Sequence, residues 1–201
     1  MELYIIRHGE TDFNKRGIVQ GRGVNSDLNE MGQQQARSFY KAYHHIPFDR
    51  IYTSSLKRTH QTVEPFINKG IEWVKLHELD ELDWGVNEGR EATAEMKKEF
   101  QQLTRKWMEG DLHLKFPGGE SPIEVNARQK NAIQKIISEP VNHALICMHG
   151  RALRLILCEL LNIPLSNMDT FPHSNVSLYR LKYSDNKFEM LDFNNTDHFH
   201  V

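Results

Sequence analysis

Two short apolar segments constrain the fold of this 201-residue chain more than any other feature of its sequence. Residues 3–6 (LYII) and 144–148 (ALICM) are apolar at successive positions, and each is too short for an ordinary helix. A strand that is apolar on every residue is buried on both faces, which is typical of a parallel sheet covered by helices. The two segments also end alike, because Arg7-His8-Gly9 follows the first and His149-Gly150 follows the second.

Further strands are predicted on either side of the second segment in sequence. Residues 49–55 (DRIYTSS) and 71–76 (IEWVKL) are short runs that contain the β-branched and aromatic residues common in strands. Residues 176–181 and 187–193 flank Ser184-Asp185-Asn186, and turn residues between two such runs predict a hairpin.

Helices are predicted between the strands, from capping residues and from apolar residues at helical spacing. Asn29 is a suitable N-cap for a helix that continues to about residue 46. Ser121, Pro122 and Glu124 form a capping box with proline at the first helical position, which predicts a helix to about residue 138. Helices are also predicted over residues 55–67, where Pro65 leaves the end open, and over residues 93–110 and 151–163.

The alternation of strands and helices predicts an α/β fold. The expected architecture is a three-layer sandwich, with a mostly parallel central sheet, helices on both faces and a small helical cap. Residues 1–201 are expected to form a single domain. Residues 82–119 begin with an acidic stretch broken by Gly85 and Gly89 and contain one predicted helix, so we interpret them as the cap inserted into that domain.

Composition and charge argue against several classes of partner and bear on the cellular location. The formal net charge is −2, which argues against nucleic acid or an anionic membrane as the main partner, since both attract basic surfaces. Cys147 and Cys158 stand in apolar company and are expected to be reduced core thiols. The first ten residues lack the basic stretch of a signal peptide, and the longest apolar run is interrupted by Arg154 and Glu159. We therefore expect a cytoplasmic protein; the oligomeric state stays open.

The two His-Gly ends indicate an anion site. Ligands of open α/β sheets bind beyond the carboxyl ends of the strands, so neighbouring strands would bring His8 and His149 to the same edge. Arg7 lies beside His8, and Arg58 lies near the start of the helix after the second strand. Arginine suits forked hydrogen bonding to phosphate oxygens, so the expected ligand is a phosphoryl group.

These residues resemble the histidine phosphatase superfamily, also called phosphoglycerate mutase-like. The matching motifs fall in family order over nearly the whole chain. They are RHGET with Asn14 and Gln20-Gly21, LNEMGQQQA at residues 28–36, SSLKRTHQT at 54–62, ELDWGVNEG at 81–89, PGGES at 117–121, and His149-Gly150.

The resemblance implies a role for each matching residue. His8 is expected to be the nucleophile that forms a phosphohistidine, and Glu81 the general acid and base. Arg7, Arg58 and His149 are expected to stabilise the phosphoryl oxygens. Asn14, Gln20, Gly21 and Gly150 are expected to add hydrogen bonds, and the implied mechanism needs no metal and no cofactor.

Some assignments stay open at this point. Asp80 and Asp83 lie beside Glu81 and compete with it for the role of acid. Arg151 stands where many relatives have a further glycine after the second His-Gly, and it could either crowd the phosphate or add a cation at its rim. Trp84 and Trp107 are candidate leaving-group contacts, although Trp107 could equally be core.

The implied activity is that of a metal-independent phosphatase acting on a small-molecule phosphate monoester. The first alternative is a cofactor-dependent phosphoglycerate mutase. Mutases of this family carry Arg-His-Tyr-Gly after the acid and paired arginines in the cap. Here Leu-Asp-Trp-Gly follows Glu81, and residues 92–110 contain one arginine, Arg105, and no pair. The second alternative is a non-catalytic phospho-ligand-binding protein, which is disfavoured because His8 and Glu81 are both present.

Overall fold

The computed structural model describes residues 1–200, and its centre is a single six-stranded sheet. The strands follow one another across this sheet in the order β3-β2-β4-β1-β5-β6. Their bounds are Glu2–Arg7 (β1), Arg50–Thr53 (β2), Glu72–Lys75 (β3), His143–Met148 (β4), Leu178–Ser184 (β5) and Lys187–Asn195 (β6).

The pairing directions make the sheet mixed but mostly parallel. β1, β4, β2 and β3 run parallel to their neighbours, whereas β5 pairs antiparallel with β1, and β6 antiparallel with β5. The hairpin turns at Asp185 and Asn186, both with positive φ, as a two-residue hairpin turn requires. The predicted α/β fold is confirmed, and β1 and β4 are direct neighbours.

Helices connect the strands, and their sequence signals act as expected where caps are present. Asn29 accepts the backbone N–H of Gly32 at 2.9 Å, and Ser121 and Glu124 form the reciprocal capping box. One short helix, which has Thr11 as its N-cap, was not predicted from the sequence. The α-helices are Asp12–Arg16 (α1), Glu30–Tyr43 (α2), Lys57–Ile67 (α3), Ala94–Met108 (α4), Pro122–Ser138 (α5) and Gly150–Leu160 (α6).

α3 continues through Pro65 to Ile67, although the sequence left its end open. A proline inside a helix removes one backbone hydrogen bond, so its place in the last turn limits the cost to the end of the helix. The face that holds Thr59, Val63 and Phe66 is buried against the sheet, and this packing holds the last turn in place.

Apolar clusters cover both faces of the sheet. Successive residues of β1 point to opposite sides, so Ile5 belongs to one cluster and Ile6 to the other. Both side chains are fully buried, as are Cys147 and Cys158, which are free thiols. None of the helices among residues 1–200 is long and apolar enough to cross a membrane.

The segment over residues 82–119 contains a short 3-10 turn at Gly85–Asn87 and then α4. Its aromatic side chains form one cluster, in which the ring of Trp84 lies 5.4 Å from Phe100, 6.1 Å from Trp107 and 6.3 Å from Phe116. That this segment is a cap within a single domain of residues 1–201 stays a prediction. Val201 lies outside the described residues.

Candidate active site

His8 lies just beyond the carboxyl end of β1 and is 3% exposed. Its backbone N–H donates to the carbonyl of Met148, at the end of β4, so the sheet itself fixes its position. The imidazole Nδ1 lies 2.7 Å from the carbonyl oxygen of Gly9. Since a carbonyl only accepts, Nδ1 carries the proton and Nε2 keeps its lone pair. Burial, followed by the nearby guanidiniums of Arg58 and Arg7, holds the pKa of His8 well below its usual range, so the ring is neutral.

His149 lies at the same edge, with its ring centroid 5.2 Å from that of His8. It is fully buried, and its Nε2 lies 2.7 Å from Ser54 Oγ. Ser54 Oγ also lies 2.9 Å from Thr59 Oγ1, and Thr59 donates its own hydroxyl proton to the carbonyl of Leu56 at 2.8 Å. The tautomer of His149 therefore follows from the direction of its bond to Ser54. Burial and Arg58 hold the pKa of His149 well below its usual range, so the ring is neutral.

Three buried polar nitrogens at this edge have no hydrogen-bond partner within residues 1–200: Arg7 Nε, Arg58 Nε and His149 Nδ1. Arg58 is fully buried, and its terminal nitrogens are already held by the carbonyls of Val24 at 2.5 Å and Gly21 at 3.3 Å. Burial lowers the pKa of Arg58 to about 10, so the guanidinium is still charged near neutral pH. Buried donors are normally paired, so these orphaned groups fit an anion bound against His8.

Residues 173–176 close the back of this pocket, and the sequence analysis missed them. Arg7 Nη1 lies 3.3 Å from His173 Nδ1, Asn175 Nδ2 donates to the carbonyl of His8 at 2.9 Å, and Val176 N–H donates to the carbonyl of Arg7 at 3.0 Å. Val176 is a buried, β-branched residue at φ 60°, where such residues are strained. Burial, with Arg7 beside it, lowers the pKa of His173 to about 3, so it is a neutral acceptor. The feature that could have indicated these residues is the topology, because β5 begins beside the end of β1 and residues 173–176 directly precede β5.

Glu81 is 7% exposed, and its carboxylate lies at the N-terminus of α6. One oxygen accepts the backbone N–H groups of Leu82 and Ala152 at 2.9 Å, and the other accepts that of Arg151 at 3.1 Å. The free N–H groups of a helix N-terminus are a natural place for a carboxylate. Because α6 starts directly after His149, this contact brings Glu81 to the edge that holds both histidines.

The competing acids of the same loop have structural partners. Asp80 accepts from the backbone N–H of Ser55 at 2.7 Å and from its hydroxyl at 2.8 Å, and it lies 3.9 Å from Arg22. Asp83 accepts the backbone N–H of Gly85 at 2.7 Å. Of these carboxylates only Glu81 lines the cavity described below.

Arg128, on α5, holds the loop of Glu81 from behind and was not singled out from the sequence. Its Nη1 donates to the carbonyls of Glu78 and Asp80 at 2.8 Å, and its Nη2 to the carbonyl of Glu81 at 3.0 Å. Nε and Nη2 also bond both carboxylate oxygens of Glu120 at 3.0 Å. Only the planar five-donor fork of arginine can make this set of bonds. Its partners lie up to 50 positions away, so helical spacing gave no sign of them.

We expect Arg128→Lys to lower kcat for an alkyl phosphate about 10- to 100-fold, because a small displacement of a catalytic group is costly. Inhibition by inorganic phosphate should stay unchanged, since Arg128 does not line the pocket. Steady-state kinetics with both an alkyl and a 4-nitrophenyl ester checks this. Lys130→Gln on the same helix, where the side chain is 56% exposed, is the matched control. An equal loss with both esters would mean that Arg128 serves only the fold.

The remaining predicted site residues are not all placed alike. Asn14 lines the cavity, and its Oδ1 accepts from Thr11 at 3.1 Å, as part of the cap of α1. Gln20 also lines the cavity, but Thr11 and Ser26 bond both ends of its amide. Gly21 instead holds Arg58 through its carbonyl.

Gly21 and Gly150 are needed because their neighbours leave no space. A Cβ at position 21 would lie 1.7 Å from Glu88 Oε1, and a Cβ at position 150 would lie 2.7 Å from the ring of His173. Gly150 therefore allows His173 to lie close to the start of α6, where it reaches Arg7.

Arg151 extends away from the histidines. Its Nη1 donates to Asp169 Oδ1 at 2.7 Å, and its guanidinium carbon lies 5.7 Å from the ring centroid of Phe100 and 5.6 Å from that of Trp107. It is not among the residues that line the cavity. Its backbone N–H holds Glu81, while its side chain packs between α6 and α4.

A cavity of about 470 Å³ opens in front of His8. We call its inner part, lined by Arg7, His8, Asn14, Gln20 and Glu81, the phosphate end. Trp84 lines the outer part, whereas Trp107 is 1% exposed, donates to the carbonyl of Leu114 at 2.9 Å and belongs to the core. Arg58 and His149 are fully buried beside His8 and are not among the residues that line the cavity. A neutral imidazole with a guanidinium and a carboxyl group around one cavity, and a second guanidinium buried close by, is suited to phosphoryl transfer through histidine.

The comparison with known families agrees with this geometry. The sequence model of the histidine phosphatase superfamily (branch 1) matches residues 3–196, so the chain belongs to this family. Transfer through a phosphohistidine is characteristic of the family, and the prediction of a phosphatase of this class is thereby confirmed.

Individual relatives cover almost the whole chain. Phosphoserine phosphatase 1 of Hydrogenobacter thermophilus is 29% identical over 98% of this chain and 94% of its own length. A protein of Yersinia pestis named as a probable phosphoglycerate mutase is 30% identical over 92% of this chain and 86% of its own length. The alpha-ribazole phosphatase of Shigella flexneri has a similar fold, with a TM-score of 0.85 at 22% identity over 97% of this chain and 96% of its own.

Proposed function

We propose that this chain hydrolyses phosphate monoesters of small molecules, with His8 as nucleophile and Glu81 as general acid and base. One observation carries the proposal. The proton of His8 is held on Nδ1 by Gly9, so an unprotonated Nε2 is available beside the unpaired nitrogens of Arg7, Arg58 and His149.

The reaction has two balanced steps. His8 Nε2 forms a bond to phosphorus while the bond to the ester oxygen breaks, and the departing oxygen takes the proton of Glu81. Water then attacks the phosphohistidine, Glu81 takes a proton from that water, and the N–P bond breaks to give inorganic phosphate and free His8. Arg7 and Arg58 stabilise the phosphoryl charge in both steps. In the tautomer in which Ser54 donates to its Nε2, His149 adds a hydrogen bond from Nδ1.

A phosphoglycerate mutase is the second candidate, because one relative bears that name. A mutase must retain the glycerate while the phosphohistidine exists, which calls for cations facing its carboxylate. Arg105 does not provide one, since its side chain is 78% exposed and paired with Glu109. Beyond the phosphate end, Lys97 is the charged member of the described residues that line the cavity. These positions support hydrolysis over isomerisation.

With 3-phosphoglycerate we expect phosphate release to exceed formation of 2-phosphoglycerate, without priming by 2,3-bisphosphoglycerate. EDTA should leave the rate unchanged. Following both products in one reaction checks this. The reverse ratio, together with activation by the bisphosphate, would favour the mutase and leave the roles of His8 and Glu81 standing, because both reactions share the first transfer.

We also propose a cytoplasmic location. Cys147 and Cys158 are both buried as free thiols, which is the ordinary state of cysteine in a reducing compartment. Cell fractionation of the producing organism tests this proposal.

A further inference from the structure

The outer part of the cavity differs in chemistry from the phosphate end. We call it the leaving-group wall, since an ester bound with its phosphorus at His8 places its alcohol there. The wall consists mainly of apolar side chains, namely Ile18, Val19, Trp84, Met96, Phe100 and Phe116.

The charges in the cavity disfavour a zwitterionic alcohol. An ammonium group, as in phosphoserine, would meet the cations Arg7 and Lys97. Its anionic partner among the described lining residues is Glu81, which the proposed mechanism already uses. Burying an ammonium without a partner is costly, so such a substrate would lose the affinity that the wall offers. Lys97 is exposed at the rim and remains solvated.

The wall is held in place before any ligand binds. Trp84 is 8% exposed, and its ring packs against Phe100 and Phe116. Behind Phe100 lies the guanidinium of Arg151, which Asp169 fixes from the other side. A preformed apolar surface does not have to be ordered on binding, so burial of an apolar group adds fully to affinity.

From these observations, and resting on the function proposed above, we propose that this enzyme prefers phosphate esters of uncharged apolar alcohols about the size of one aromatic ring. The preference arises at Met96 and Phe100 of α4, both of which line the cavity. The volume of about 470 Å³ is sufficient for a phosphate group and one such ring.

The test compares alkyl esters whose alkoxide leaving groups are similarly basic, so that the rate of phosphoryl transfer is affected by binding more than by the leaving group. The probes are 2-phenylethyl phosphate, glycerol 3-phosphate and phosphoserine. We expect kcat/KM for the phenylethyl ester to exceed that for phosphoserine about 10- to 100-fold, as burial of one aromatic ring implies. Met96→Ala and Phe100→Ala should each reduce this ratio. Met108→Ala is the matched control, because Met108 lies on the same helix, is 53% exposed and does not line the cavity.

The outcomes separate the two proposals. Equal or higher kcat/KM for phosphoserine, or the same ratio in the Met96→Ala and Met108→Ala variants, would overturn the inference about the leaving group. Phosphate release from none of the three esters, or release that survives the loss of His8, would instead overturn the proposed function. A melting temperature measured for each variant identifies any that fails to fold, and Met96→Leu then serves as the milder change.

Discussion

His8→Ala is expected to abolish turnover with every phosphate ester while the protein remains folded. Nε2 of His8 is the atom that bonds to phosphorus, so no other group can replace it in the first step. Brief mixing of the unaltered enzyme with a 32P-labelled ester should give protein-bound label that is acid-labile and base-stable, as a phosphohistidine is. The His8→Ala variant should give none, because its methyl side chain cannot accept the phosphoryl group.

His45→Ala is the control for this experiment, since His45 is an exposed histidine at the end of α2. It should label and turn over as the unaltered enzyme does. The pKa of His8 lies below its usual range through burial and the two guanidiniums, so the nucleophile stays neutral around pH 7 and labelling there is not limited by protonation. Label on a serine or an aspartate, or label that persists in His8→Ala, would disprove the mechanism.

The sequence predicted the part of this site that depends on strand ends and local caps. Residues 3–6 and 144–148 are apolar on both faces, so they had to be buried strands, and their shared His-Gly ends met once β1 and β4 paired. Ser121 and Asn29 cap their helices through contacts three residues away, a distance over which sequence alone is informative. The position of Arg58 at the start of the helix after the second strand predicted it at the same edge. The family motifs then supplied Glu81, which spacing by itself could not join to the histidines.

The rest of the site depends on contacts between distant parts of the chain. His173 reaches Arg7 across 166 positions, and Asn175 reaches His8 across 167, because β5 returns antiparallel beside β1. Arg128 was missed for the same reason, since its helix shows only that the position is polar. Nothing in a linear pattern shows which carbonyls a buried guanidinium will hold.

At Arg151 the sequence revealed a departure from the family pattern but did not predict where the side chain lies. The sequence marked it as a departure from the glycine of many relatives, and both expected outcomes concerned the phosphate. Instead the side chain pairs with Asp169 and packs against Phe100 and Trp107. The direction of the side chain depends on the aromatic residues of α4, which are 44 or more positions earlier, so local reasoning could not choose it.

Glu81→Gln is expected to slow alkyl esters about 10²- to 10⁴-fold, the usual worth of a positioned general acid. An alkyl alkoxide is strongly basic and must be protonated as it departs, whereas 4-nitrophenolate leaves without a proton. Formation of the phosphohistidine from 4-nitrophenyl phosphate should therefore be nearly unchanged. The burst phase of a stopped-flow trace measures this step alone. Later turnover should still be slow, because the same carboxyl group is needed to activate water.

Glutamine keeps the size of the side chain and one oxygen for the N–H groups of Leu82 and Ala152, but its amide nitrogen would face the N–H of Arg151. A melting temperature of the variant therefore accompanies the kinetics, to separate proton transfer from folding. Asp83→Asn, in the same loop, is the matched control and should affect both esters alike and only weakly, since Asp83 Oδ1 already accepts the N–H of Gly85. Equal loss of the burst rate with alkyl and 4-nitrophenyl esters in Glu81→Gln would mean that another group donates the proton. Asp80 would then be tested next, although the close contacts from Ser55 turn its carboxylate toward the backbone rather than the cavity.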